Sequence, residues 1–283
     1  MRKRLLLTGA SGFVGKQILK HLSNLDVEIV LIVRKKSEEE TSILQNIKNV
    51  VSIIKTDDMF KESSDWWAAR CKDIDIVINA AWYAEPGSYY TSFNNIDCLR
   101  GSLNLAEGCI LSSVKKFVGI GTCAEYEISN KPIPHDGPLK PYTLYAAAKL
   151  STYQMLDQIF NYHGISFSWC RLFYLFGEGE DERRLVPYIT NKLNNGEVAE
   201  LSSGSQVRDF IDVSIVGQII GDIALSEKNG AINICSGKPK TIRTHAIEIA
   251  KGLKRQDLLH FGAREDNPLE PKYMVGIPNW DNN

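Results

Sequence analysis

Three consecutive leucines, Leu5 to Leu7, run straight into Thr8-Gly9-Ala10-Ser11-Gly12-Phe13-Val14-Gly15. Few folds begin this way. Glycine is required where the backbone turns sharply or must come close to another group. Gly9, Gly12 and Gly15 lie between a buried strand and an amphipathic helix, the context in which such a turn seats a pyrophosphate on the helix N-terminus. An ordinary glycine loop has neither flank. The opening therefore predicts a β-α-β start and a dinucleotide cofactor.

The rest of the chain continues the pattern. Strands are expected at Val27 to Val33, Val50 to Ile54, Ile74 to Asn79, Phe117 to Ile120 and Phe167 to Leu175. Helices are expected at Lys16 to Leu25, Gly101 to Leu111 and Tyr145 to about His163. From about Glu178 charge, glycine and proline rise, and short apolar segments alternate with turns. The expected fold class is α/β: a Rossmann-type doubly wound parallel sheet over 1–177, with a smaller C-terminal α/β substrate-binding lobe over 178–283. Within that lobe about 205–240 is expected to return to the large domain, meeting the sheet near Ile232 to Cys235. The end, Pro278 to Asn283, has little pattern and is expected to fray.

Composition removes several classes of partner. With 33 basic and 34 acidic residues the formal net charge is -1, which gives no electrostatic case for nucleic acid or a membrane surface. The amino-terminal apolar run stops at Thr8-Gly9, too short for a secretory leader, and no run reaches the roughly 18 residues of a membrane span. Six scattered cysteines show no metal-ligand pairing, so no metal site is expected. They read as free buried thiols in a reducing, cytoplasmic compartment.

Strand two ends in Arg34, Lys35 and Lys36, not in an acid that would bind a ribose 2′-hydroxyl. Cations there accept a 2′-phosphate, so the expected cofactor is NADP (NADPH). Asp57 or Asp58, just past strand three, is placed to reach the adenine amine.

Tyr145 and Lys149 are four residues apart and share a helix face. Hydride addition to a ketone leaves an alkoxide that needs a proton. A free phenol, with a pKa of about 10, gives one up poorly near neutrality. A nearby ammonium favours the phenolate. Tyr145 is thus the expected acid, Lys149 the group that depresses its pKa and holds the nicotinamide ribose, and Thr122, at a strand end, a hydroxyl for the substrate carbonyl.

With these motifs the chain resembles the extended short-chain dehydrogenase/reductases, the NAD-dependent epimerase/dehydratase family, and within it the nucleotide-sugar enzymes. The likeness spans nearly the whole chain: Thr8 to Gly15, Asn79-Ala80-Ala81, Thr122 with Tyr126, Pro141 with Tyr145 and Lys149, Arg171 to Gly177, and Gln206 to Ile211. It implies a cofactor site of Thr8, Gly9, Ser11, Gly12, Phe13, Val14, Gly15, Arg34, Asp57, Asn79, Ala80 and Ala81, with Tyr145 and Lys149. It implies a substrate site of Trp82, Cys123, Tyr174, Val186 and Arg208. Arg208 falls where the family binds the sugar nucleotide's diphosphate, and Leu185 to Tyr188 where it packs on the base. Two helices, those from Gly101 and Tyr145, resemble the family's dimer contact, so a homodimer is implied.

Departures narrow the reaction. The family's 4,6-dehydratases carry Asp-Glu after the catalytic threonine; here Cys123 and Ala124 stand there. GDP-fucose synthases carry an epimerising cysteine two residues after that hydroxyl residue, where this chain has Ala124. The chain is similar to 4-ketoreductases of the CDP-abequose synthase type, which implies NADPH-dependent reduction of a nucleoside-diphosphate 4-keto-6-deoxyhexose for a surface glycan. Two other readings stay open: a 4-epimerase that retains NAD, and a non-catalytic NADP-sensing regulator.

Overall fold

The computed structural model describes residues 2–35, 44–267 and 270–281. The first half alternates strand and helix: β1 (Lys3–Thr8), α1 (Phe13–Leu22), β2 (Val27–Arg34), β3 (Val50–Thr56), α2 (Ser64–Cys71), β4 (Ile76–Asn79), α3 (Asn94–Leu111), β5 (Lys116–Thr122), α4 (Leu144–His163) and β6 (Ser166–Leu172). Later elements are β7 (Tyr174–Phe176), α5 (Leu185–Asn194), β8 (Ala199–Leu201), β9 (Val207–Asp212), α6 (Val213–Leu225), β10 (Gly230–Ile234), β11 (Pro239–Thr241), α7 (Ile242–Gly252), β12 (Leu259–Phe261) and β13 (Tyr273–Met274).

Seven strands form one parallel sheet in the order β10-β6-β5-β4-β1-β2-β3. This is the Rossmann-type sheet expected from the sequence. Its two faces can be read within β1, because successive strand side chains point opposite ways. Leu5 and Leu7 join Ile18, Leu19, Leu22, Val216 and Ile220 on the face covered by α1 and α6. Leu6 joins Trp67, Leu105, Phe117 and Phe160 on the face covered by α2, α3 and α4. Strand order reverses between β1 and β4, so a crevice opens at their carboxyl ends.

The expected strand Phe167 to Leu175 is two strands. It breaks at Phe173, whose ring is drawn into a separate cluster with Cys123, Tyr126, Ile133, Cys235 and Met274. Beyond the break β7 leaves the large sheet and pairs with β9, which lies between β11 and β13 in a second sheet. Of the stretch 205–240, α6 and β10 lie on the large sheet, whereas β9 and β11 do not. Strands β8 and β12 form a third, two-stranded parallel sheet.

The expected fraying is corrected for 278–281. Asn279 accepts from the Asn233 N–H through its side-chain oxygen at 2.8 Å and donates to the Ala231 carbonyl at 3.2 Å. The Trp280 indole N–H donates to the Cys235 carbonyl at 3.0 Å. Asn282 and Asn283 lie outside the described residues. At the far end of β5 the buried Lys116 ammonium donates to the carbonyls of Ile223, Ser226 and Lys228 at 2.7, 2.6 and 3.0 Å. It thereby satisfies carbonyls at the carboxyl end of α6.

Candidate active site

At the carboxyl end of the sheet lies a cleft of about 1300 Å³, lined by both the glycine turn and the second lobe. Pockets for a single small ligand typically hold about 300–1,000 Å³, so this volume suits two ligands side by side.

The first half of the cleft is built on β1. Gly9 has φ +72, a left-handed conformation, and a Cβ there would lie 2.7 Å from the Ala80 backbone. A Cβ on Gly15 would lie 2.0 Å from the Gly9 carbonyl oxygen. Helix α1 begins at Gly12 with no side-chain cap and no acid in its first turn, leaving N–H groups for an anion. The turn is braced from below. Thr8 donates to the Asn79 side-chain oxygen at 2.7 Å, Asn79 donates to Ser102 at 3.3 Å, and the Ala81 N–H donates to the Thr8 hydroxyl at 3.3 Å. Thr8 and Asn79 are thus buried supports of the turn, while Gly9, Ser11, Gly12, Phe13, Val14, Gly15, Ala80 and Ala81 line the cleft. This cradle of bare backbone and uncapped amides fits the pyrophosphate of a dinucleotide.

Arg34 and Asp57 line the same cleft, and both are exposed. The Lys35 ammonium contacts Asp57 at 2.9 Å. Asp58 accepts from the Phe60 N–H at 3.0 Å and caps the short turn Met59–Lys61. Lys36 lies outside the described residues.

The second half gathers the reacting groups. Thr143 caps α4 by accepting from the Ala146 N–H, which fixes the first turn and with it Tyr145. Thr122 and Tyr145 line the same part of the cleft, and the Thr122 hydroxyl favours the ionised form of the phenol. The Tyr145 ring meets the cleft, with Tyr89 edge-on at 4.9 Å. Enclosure by surrounding protein pushes its phenol above the ordinary value, and the Thr122 hydroxyl only partly offsets this.

The expected depression of Tyr145 by Lys149 is therefore corrected. The Lys149 ammonium donates to the Ile120 carbonyl at 2.6 Å and lies 3.8 Å from the centre of the Trp82 ring. Burial lowers it to about 7, with Cys98 and Glu125 acting in the opposite direction.

Beyond Tyr145, Cys123, Tyr174 and Val186 line the cleft. Burial pushes the Cys123 thiol up to about 12, so it stays neutral. Arg208 also lines the cleft but is nearly enclosed, 1 % exposed. Its guanidinium donates to the Val207 and Pro271 carbonyls at 3.0 and 2.7 Å and to Glu270 at 3.2 Å, and it lies over the Tyr174 ring at 4.9 Å. Neighbouring acids serve elsewhere. Asp209 accepts from Ser236, Gly237 and Gly276 N–H groups, and Asp212 caps α6.

Sequence reasoning missed Glu125. Fully buried, it accepts from the Thr122 N–H at 2.9 Å, from the Trp169 indole at 3.1 Å and from Arg171 Nε at 2.7 Å. The signal was there: Thr122-Cys123-Ala124-Glu125 has the spacing of a capping box, and one forms. Also missed were Tyr89, Tyr90 and Tyr142, which line the cleft around Tyr145.

The profile of the NAD dependent epimerase/dehydratase family matches residues 5–235. The chain belongs to this family. As a member it is similar to dTDP-6-deoxy-L-talose 4-dehydrogenase (NAD(+)) of Aggregatibacter actinomycetemcomitans, 24% identical over 96% of this chain and 94% of the relative. It is 26% identical to CDP-abequose synthase of Salmonella typhimurium, over 76% of this chain and 68% of that one. Among solved structures, a UDP-N-acetylglucosamine 4-epimerase from Methanobrevibacter ruminantium M1 superimposes with a TM-score of 0.84 at 27% identity, covering 98% of this chain and 90% of that one. The UDP-glucose 4-epimerase of Thermotoga maritima gives a TM-score of 0.82 at 19% identity over 97% and 90%, a likeness of fold. The relatives named here are enzymes of nucleotide sugars, and this chain shares with them the Rossmann-type sheet of the family. Among the described residues no helix is long and apolar enough to cross a membrane.

Proposed function

We propose that this enzyme is an NADPH-dependent 4-ketoreductase of a nucleoside-diphosphate 4-keto-6-deoxyhexose. One observation carries the reading: Thr122 and Tyr145 line the same cleft beside Cys123 and Ala124, and neither of the latter two can serve as the acid or base of an elimination. Cys123 is held neutral, and Ala124 has no titratable group.

When bound, the dinucleotide supplies a hydride to the carbonyl carbon. Tyr145 gives its phenolic proton to the carbonyl oxygen, and the Thr122 hydroxyl hydrogen-bonds that oxygen, so the ketone becomes an alcohol. A phenol raised by burial keeps its proton at neutral pH and gives it up only to a strongly basic oxygen, such as the alkoxide left by hydride addition. Lys149 would hold the ribose of that dinucleotide.

Between Tyr145 and Arg208 the cleft wall consists of Tyr90, Tyr142, Tyr174 and Cys123. Such an aromatic surface suits a sugar that has lost a hydroxyl. In this reading Arg208 takes the diphosphate, Val186 the base and Arg34 the 2′-phosphate of NADP. The free cysteines fit a cytoplasmic enzyme, and the outer faces of α3 and α4, where Leu111, Met155 and Tyr162 are exposed, fit a homodimer contact.

Incubation with NADPH and a panel of 4-keto-6-deoxy sugar nucleotides tests the reading. Consumption of the nicotinamide absorbance is expected with at least one, and none with any of them would refute it. Tyr145→Phe should abolish turnover and leave NADPH affinity nearly unchanged; surviving turnover would remove Tyr145 from its role.

A second reading, a 4-epimerase, is favoured by the likeness to the Methanobrevibacter ruminantium M1 enzyme. It expects NAD to remain bound through purification and sugar interconversion without added cofactor. Arg34 weighs against it.

A further inference from the structure

Lys149 is buried, and a lysine ammonium carries three N–H donors. One donor goes to the Ile120 carbonyl at 2.6 Å. The face of Trp82 covers the same nitrogen, its ring centre 3.8 Å away, and Trp169 stands on another side at 5.9 Å. Trp82 is tied in place. Its indole N–H donates to the Asn95 side-chain oxygen at 2.9 Å, and Asn95 in turn donates to the Tyr89 and Ser92 carbonyls at 2.7 and 2.9 Å. The next N–H along the chain, that of Tyr83, is held by Cys98 Sγ at 3.3 Å. Helix α3 therefore fixes both the indole and the backbone beside it.

We propose that Trp82 is a positioning residue for Lys149, its indole face holding the ammonium in the cleft wall, and not a platform for the sugar. The inference rests on Lys149 acting as an ammonium in the proposed reaction. A cation over an indole face is favoured electrostatically, and more so where water is excluded. The titratable groups facing the lysine are Cys98 from α3 and Glu125 from the turn after β5, the last already paired with Arg171. Trp82 is the contribution of the segment after β4. It stabilises charge where burial works against it.

The test reads the lysine itself. In protein labelled with 13Cε-lysine, the Lys149 signal is assigned by its loss in Lys149→Met and followed through a pH titration. Trp82→Leu should lower the midpoint by about one pH unit, and Trp82→Phe, which keeps a weaker face, by less. Asn95→Leu, which unties the indole without removing it, should shift it in the same direction. The alkaline fall of kcat/KM should move with it. A Lys149 midpoint unchanged in the folded Phe and Asn95 variants would overturn the proposal. So would a raised KM for the sugar nucleotide with an unmoved midpoint, which would return Trp82 to the substrate. Because the titration needs no turnover, its outcome stands apart from which sugar the enzyme reduces.

Discussion

Replacing Glu125 with alanine should damage the protein more than any single loss at the rim of the cleft. The carboxylate is fully buried and is the shared acceptor of the Thr122 N–H, the Trp169 indole and Arg171 Nε. Its removal leaves the Arg171 guanidinium, 1 % exposed, with only the Tyr126 hydroxyl and the His135 carbonyl at 3.0 and 2.9 Å. Stranding one member of a buried pair costs about 3–5 kcal/mol. That is a large share of the roughly 5–15 kcal/mol that holds a typical domain together. Urea denaturation should show a lower midpoint at unchanged slope. The double variant Glu125→Leu/Arg171→Met removes both charges and should recover much of the loss. The unpaired Thr122 N–H would still cost about 1–3 kcal/mol. Turnover should fall in both, because Thr122 loses the contact that fixes its backbone, while dinucleotide affinity changes little. A single-variant cost below about 1 kcal/mol, or a double variant equal to the sum of its singles, would refute the coupling.

Gly15→Ala should weaken dinucleotide binding about tenfold or more by isothermal titration, because the new Cβ would collide with the Gly9 carbonyl at 2.0 Å. Arg34→Asp should shift the kcat/KM preference from NADPH towards NADH by at least about tenfold, the loss of a charge-assisted hydrogen bond; an unchanged ratio would remove Arg34 from cofactor choice. His245 predicts a pH effect on stability. Its ring stacks on Phe210 at 4.0 Å, neither nitrogen makes a hydrogen bond although Nδ1 lies 3.9 Å from Glu248, and burial lowers it to about 4. Its stabilisation is complete above the unfolded value of 6.5 and is lost as pH falls through 4, up to about 3 kcal/mol in all. His245→Phe should therefore flatten the melting temperature between pH 6.5 and 4.

The sheet and the glycine turn were legible because their signals are local. Apolar runs, glycine spacing and the Tyr145–Lys149 interval need no knowledge of distant residues. The break at Phe173 was not legible. The run Phe167 to Phe176 is mostly apolar on both sides of it, and only a third group of side chains decides where the chain changes sheets. Helix α2 was missed because its apolar face is weak, although Ser63 supplies an ordinary cap to Trp66. The place of Lys149 was missed for another reason: its rank against Tyr145 or Trp82 depends on a residue arriving from the segment after β4.

Strand β10 ends the large sheet and would otherwise offer unpaired amides to any passing extended chain. Asn279 answers two of them with one side chain, taking the Asn233 N–H and giving to the Ala231 carbonyl, while Trp280 latches the segment down. Those few residues act as a stopper against fibre-like stacking. Cutting the polypeptide just before Pro278 would leave that flank open to another extended chain.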